Sequence, residues 1–106
     1  MPILKDKPTL KEIQKYVEAL EKEKGFSEVS VIQNCLQLGE EIGELFKAVR
    51  KTEKLKIDKN SKFTSVEEEL ADILIYISSI ANRYDIDLEN AFRNKEEINK
   101  KREWKK

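Results

Sequence analysis

Between Leu70 and Ala81 the chain specifies a helix that is apolar on nearly every side: Leu70, Ala71, Ile73, Leu74, Ile75, Ile77, Ile80 and Ala81 leave little polar face to meet water. Such a helix must be covered all round, and a chain of 106 residues has few other elements to cover it. Helix formers dominate the rest, with three Gly and two Pro. The expectation is an all-α fold, one domain over residues 1–106, in which a four-helix bundle is completed by homo-oligomerisation around this central helix.

The other elements follow from caps and periodicity. Thr9 and Glu12 form a capping-box pattern that opens a first helix, with Leu10, Ile13, Val17 and Leu20 on one face and Gly25 as its stop. Ser27 is a plausible N-cap for a long second helix reaching about Lys51. Within it Gly39 and Gly43 each cost about 1 kcal/mol relative to Ala, which suggests a close backbone approach there. Residues 53–64 read as a lysine-rich loop, either a solvated connector or a basic flap beside an anionic ligand. Ser65 with Glu68 gives another capping box, opening the third helix to about Tyr84. Asp87 caps a fourth, with Leu88, Ala91, Phe92 and Ile98 inward. Trp104 is expected to cover a helix end.

Two acidic pairs stand out on these helices. Glu41 with Glu44, and Glu69 with Asp72, are three residues apart and so share a helix face. The residues three and four away from Glu41 are Gln37, Leu38, Glu44 and Leu45, none of them basic. Glu69 has Ser65, Val66, Asp72 and Ile73 there. All 21 Lys and Arg fall outside 25–46 and 63–82, and those two tracts carry eight acids, so a neutral chain is divided into a part at −8 and a remainder at +8. Carboxylates about 6 Å apart repel by roughly 3 kcal/mol at an effective dielectric near 20. A solvated face or a salt-bridged oligomer contact is the ordinary alternative, but two matched pairs without basic neighbours favour a bound cation.

Composition excludes several chemistries. There is no His, which removes the usual zinc sites, His-based acid–base catalysis and the Glu-x-x-His ligands of di-iron bundles. An all-carboxylate site selects a hard ion, Mg²⁺ or Mn²⁺. The one cysteine, Cys35, cannot form an intramolecular disulfide. No apolar run is of signal-peptide type or reaches the ~20 residues of a membrane span, so a cytoplasmic protein with no membrane partner is expected. Zero net charge argues against a dedicated nucleic-acid binder.

On the fourth helix Lys95, Asn99 and Arg102 lie at i, i+4 and i+7, a stripe that would suit a polyphosphate held between metal ions and basic side chains. Spacing alone equally suits a solvated face, since Arg93, Lys100 and Lys101 are basic too. Tyr76, one turn after Asp72, would point toward the same site.

Taken together, Glu40-Glu41-Ile42-Gly43-Glu44-Leu45 and Glu69-Leu70-Ala71-Asp72-Ile73-Leu74 resemble the Glu-x-x-Glu and Glu-x-x-Asp motifs of the MazG-like, all-α nucleoside triphosphate pyrophosphohydrolases. The similarity runs over about residues 10–102 and includes Gly25-Phe26 before the second helix and the Lys95, Asn99, Arg102 stripe. It implies a homodimer or homotetramer and Mg²⁺ held by Glu41, Glu44, Glu69 and Asp72. The implied reaction is hydrolysis of a (deoxy)nucleoside triphosphate to monophosphate and pyrophosphate, as in compact house-cleaning members. Lys95, Asn99 and Arg102 would hold phosphates or sugar, Tyr76 would lie beside them, and Glu40 would support the ligands or help activate water. Where the family often has Trp, this chain has Phe26, which also stacks on a base. The competing expectation is a non-catalytic helical oligomerisation or regulatory module whose acids pair with a basic partner.

Overall fold

The structure is a computed structural model and describes residues 1–54 and 64–102. Among these residues there are four α-helices and no strand: α1 (Leu10–Lys24), α2 (Val31–Thr52), α3 (Val66–Arg83) and α4 (Leu88–Lys101), with a 3-10 turn at Phe26–Glu28. Most of the 53–64 loop, and Trp104, lie outside the described residues.

The helix ends are chemically marked. Thr9 Oγ1 accepts the Glu12 N–H and the Glu12 carboxylate accepts the Thr9 N–H, the reciprocal box read from the sequence. Gly25 ends α1 at φ 76°, left-handed backbone that only a residue without Cβ adopts freely. Asp87 accepts the Asn90 N–H at the start of α4. Two caps depart from expectation. α2 is opened by Ser30 and Gln33 instead of Ser27, because three residues beyond Ser30 stands a Gln that returns the bond, whereas three beyond Ser27 stands Ser30 itself. At Ser65 half a box forms, its hydroxyl accepting the Glu68 N–H.

α2 and α3 pack most extensively, α1 lies on α3, and α4 rests on α1. The covered seam of α2 runs Val31, Asn34, Leu38, Glu41, Leu45, Ala48, and that of α3 runs Val66, Glu69, Ile73, Tyr76, Ile80, each alternating three- and four-residue steps. The seams thus contain Glu41 and Glu69, while the apolar triplets Ile42, Phe46, Val49 and Leu70, Leu74, Ile77, both at i, i+4, i+7, are exposed. Among the described residues the buried apolar side chains are Val17, Ala48 and Ala81, fewer than the buried polar set of Gln14, Asn34, Glu69, Ser78 and Ser79. The Cα radius of gyration is 16.7 Å, against about 13 Å for a compact chain of this length. The bundle expected from the sequence does not close within one protomer: Phe92 and Ile98 of α4, read as inward, are exposed, because α4 meets chiefly α1. Gly39 and Gly43 likewise face open space, since a Cβ on either would meet nothing within 4 Å. The close approach expected there is absent from the protomer.

A buried glutamine sets the path into α4. Gln14 Nε2 donates to Asn82 Oδ1 (3.1 Å) and to the Ile86 carbonyl (2.8 Å), and Gln14 Oε1 accepts the Leu88 N–H (2.9 Å). Asn82 Nδ2 returns a bond to the Gln14 carbonyl, and Asp85 turns the chain at φ 57°. Gln14→Ala should therefore cost about 2 kcal/mol, because it strands these buried partners, and urea unfolding monitored by helical ellipticity would measure it.

Candidate functional site

The site begins with two helices whose seams carry acids. Glu41 comes from the middle of α2 and Glu69 from the first turn of α3, with Asp72 one turn later. Each offers a carboxylate oxygen, and the three oxygens lie within 4.8 Å of one another. Several exposed acids elsewhere take a base one turn away on the same helix, as in Glu18–Lys22, Glu89–Arg93 and Glu97–Lys100. Among the described residues no ion pair involves Glu41, Glu69 or Asp72.

Glu69 is the most demanding member. It is 2% exposed; one oxygen accepts a hydrogen bond from Thr64 Oγ1, and the buried Oε2 has no hydrogen-bond donor among the described residues. An unpaired buried carboxylate oxygen is costly, and a proton, a cation or another hydrogen-bond donor relieves it. In the protein alone a proton serves. The hydrogen bond to Glu69, then burial, then the charges of Glu69, Asp72 and Glu44 push the Glu41 carboxyl up to about 7. The same shared proton, with Thr64, holds Glu69 below its ordinary value. Oxygen-only donors, one of them orphaned, fit a hard divalent cation.

This arrangement fixes the sign of a pH effect. Unfolded, Glu41 titrates near 4.5; folded and metal-free, near 7. The folded state binds the extra proton between those values, so this contribution is complete below about 4.5 and is lost as pH rises through 7. The depression of Glu69 acts below 4.5, outside that window. The melting temperature of metal-free protein should therefore fall from pH 5.5 to pH 8, and added Mg²⁺ should raise it more at pH 8, where no proton competes, than at pH 5.5. Thermal melts at both pH values, with and without Mg²⁺, measure both effects.

The remaining expected residues divide. Glu44 is outside the three-oxygen cluster: it pairs with Lys47 at 3.5 Å, though its charge is felt at Glu41. Tyr76 is beside the acids, since burial and the charges of Glu41, Asp72 and Glu40 raise its phenol. Lys95, Asn99 and Arg102 belong to α4 and its C-terminal cap, and α4 packs on α1, so the protomer does not gather them with the acids. Next to the cluster opens a groove of about 540 Å³ between α1, the 3-10 turn, α2 and α3, lined on that side by Glu40 and by Tyr76, whose phenol feels the charges of Glu41 and Asp72, with Phe26 and Leu36 among its apolar lining. Its polar wall, Glu21, Asn34 and Ser79, was missed by sequence reasoning. The available signal was an Asn at a seam position of α2, where apolar residues alternate around it.

The MazG nucleotide pyrophosphohydrolase domain family model matches residues 29–105. The chain therefore belongs to this family, and both acidic motifs and all of α2, α3 and α4 fall within the match, whereas α1 precedes it. No curated protein matches the chain. Among the described residues no helix is long and apolar enough to cross a membrane.

Proposed function

We propose that this chain hydrolyses (deoxy)nucleoside triphosphates between the α and β phosphates, releasing nucleoside monophosphate and pyrophosphate, in nucleotide-pool house-cleaning in the cytoplasm. The observation that carries the reading is the buried, orphaned Glu69 Oε2 inside a three-carboxylate cluster that borders a nucleotide-sized groove, in a chain of this family. Glu41, Glu69 and Asp72 would hold Mg²⁺, or Mn²⁺ in its place, and Glu44 would join them on release from Lys47. The ion, when bound, neutralises phosphate charge and acidifies water. With an ion bound, Glu41 would serve as a carboxylate ligand, because the cation offsets the neighbouring negative charges that raise its carboxyl in the metal-free protein. Thr64 orients Glu69 by hydrogen bonding. No Ser–His or Cys–His pair exists, as the chain has no His, so direct attack by water suits its residues better than a covalent intermediate.

The working unit on this reading is a homodimer or homotetramer. The exposed triplets on α2 and α3, the open space over Gly39 and Gly43 and the wide radius of gyration support it. Lys95, Asn99 and Arg102 would then reach the phosphates in the assembled protein, and Tyr76 would flank them.

The direct test is incubation with each ribo- and deoxyribonucleoside triphosphate, with Mg²⁺ or with chelator, and separation of products. Monophosphate plus pyrophosphate appearing only with metal is the expected result. Diphosphate plus phosphate would move the attack to the γ phosphorus and overturn the reading, and no product from any nucleotide would leave the regulatory module.

A further inference from the structure

The groove beside the acids has a polar wall whose hydrogen-bond polarity is chemically determined. Ser79 Oγ lies 3.0 Å from Glu21 Oε2 and 3.0 Å from Asn34 Nδ2. A carboxylate can only accept, so the Ser79 hydroxyl donates to Glu21, and the Ser79 oxygen must then accept from Asn34. Only the NH₂ end of the Asn34 amide can supply that bond, which settles which way the amide faces. Asn34 is 5% exposed, lines the groove, and its Oδ1 receives no hydrogen bond among the described residues. Glu21 also lines the groove and takes part in no ion pair among those residues, which leaves its second oxygen free to accept. The wall therefore offers two acceptors on either side of a hydroxyl whose hydrogen is already committed.

We propose that this wall seats the nucleobase and selects bases that carry an exocyclic amino group over their carbonyl counterparts, an inference resting on the nucleotide reading above. An amino group directs two N–H donors from one nitrogen and can bridge Asn34 Oδ1 and Glu21 Oε1. In uracil, thymine or hypoxanthine a carbonyl oxygen stands at that place and meets lone pairs, leaving a buried acceptor unsatisfied. The volume of about 540 Å³ and the largely apolar lining suit a base that is enclosed on its faces and read at one edge. Phe26, exposed on the rim, offers a face for stacking. Glu21 lies on α1, ahead of the residues matched by the family, so the selecting wall is assembled from both parts of the chain.

The test is equilibrium binding of nucleoside monophosphates to the full-length chain, without metal, using pairs that differ only by amino for carbonyl: CMP against UMP, and AMP against IMP. The amino member should bind about tenfold tighter in each pair, one net hydrogen bond's worth. Ser79→Ala, which frees the Asn34 amide to turn, should bring the ratio close to one, and so should Glu21→Gln, on a side chain that is half-buried, by adding a donor to the wall. Circular dichroism establishes that both variants are folded. Equal affinities, tighter binding of the carbonyl members, absence of binding by all four nucleotides, or a ratio unmoved in folded variants would each overturn the inference. Triphosphate turnover with Mg²⁺ is measured on the same preparation. Turnover with equal affinities removes only the base preference, whereas a preference without turnover leaves the wall intact and removes the hydrolytic reading.

Discussion

Glu41→Gln and Glu69→Gln should each lower metal-dependent turnover by about a thousandfold or more, the equivalent of the several kcal/mol a correctly held metal ion contributes to such a reaction. The same two variants should melt at a higher temperature than the parent in the absence of metal. The second expectation separates function from architecture. Three carboxylates within 4.8 Å, one of them buried with an orphaned oxygen, are a liability to the folded chain. A neutral amide at Glu69 would keep the Thr64 contact, give Glu41 a donor and remove one negative charge. If the acids existed to pair with a partner's basic residues, as in a regulatory module, removing one would weaken that partner while no metal-dependent reaction would exist to lose. Activity retained by either variant would sink the assignment of these ligands, and unfolding would make their role structural. Glu44→Gln should lose less, because Glu44 stands outside the close cluster with Lys47 against it.

The inverted arrangement of α2 and α3 explains which features were readable in the sequence. Thr9 with Glu12, Gly25 and Asp87 work through neighbours three or four residues away, so their caps could be read from spacing alone. The acidic pairs were readable for the same reason, as the absence of basic residues one turn away is a local fact. That Glu41 and Glu69 would occupy the covered seams, with Phe46 and Leu70 turned to the outside, was not a local fact. Both faces of these helices are rich in apolar residues, and periodicity does not decide which one packs inward. The fourth helix failed for a related reason: Phe92 and Ile98 mark an apolar stripe, but a stripe says nothing of whether its cover lies in the same chain. The Gln14 clamp and the Glu21, Ser79, Asn34 relay join residues 45 to 74 positions apart through single polar atoms, and no spacing rule reports on such contacts.

Phe46→Glu and Leu74→Glu should convert an assembled protein into 12.4 kDa monomers with a melting temperature lower by about 10 °C. Phe46 is 62% exposed in the protomer, and Leu74, on the stripe with Leu70 and Ile77, is exposed as well. Phe46 is mostly exposed in the isolated chain, whereas Leu74 is 37% exposed and keeps contacts there, so Phe46→Glu is the cleaner of the two probes; Glu is as good a helix former as the residues it replaces. A large effect of Phe46→Glu must then come from a surface covered by another copy. In a two-fold interface each substitution counts twice, and covering a Phe or Leu side chain is worth about 1.5–3 kcal/mol, so the loss is about 4 kcal/mol or more per dimer, roughly a thousandfold in the dissociation constant. Light scattering coupled to size-exclusion chromatography reads the mass, and the same fractions can be assayed for turnover. Dissociated chains should also lose activity, because Lys95, Asn99 and Arg102 sit on a helix that the protomer holds against α1, away from the acids. A parent protein that elutes as a monomer, with full turnover, would remove the second copy from the site and require α4 to bring those three residues to the acids within one chain.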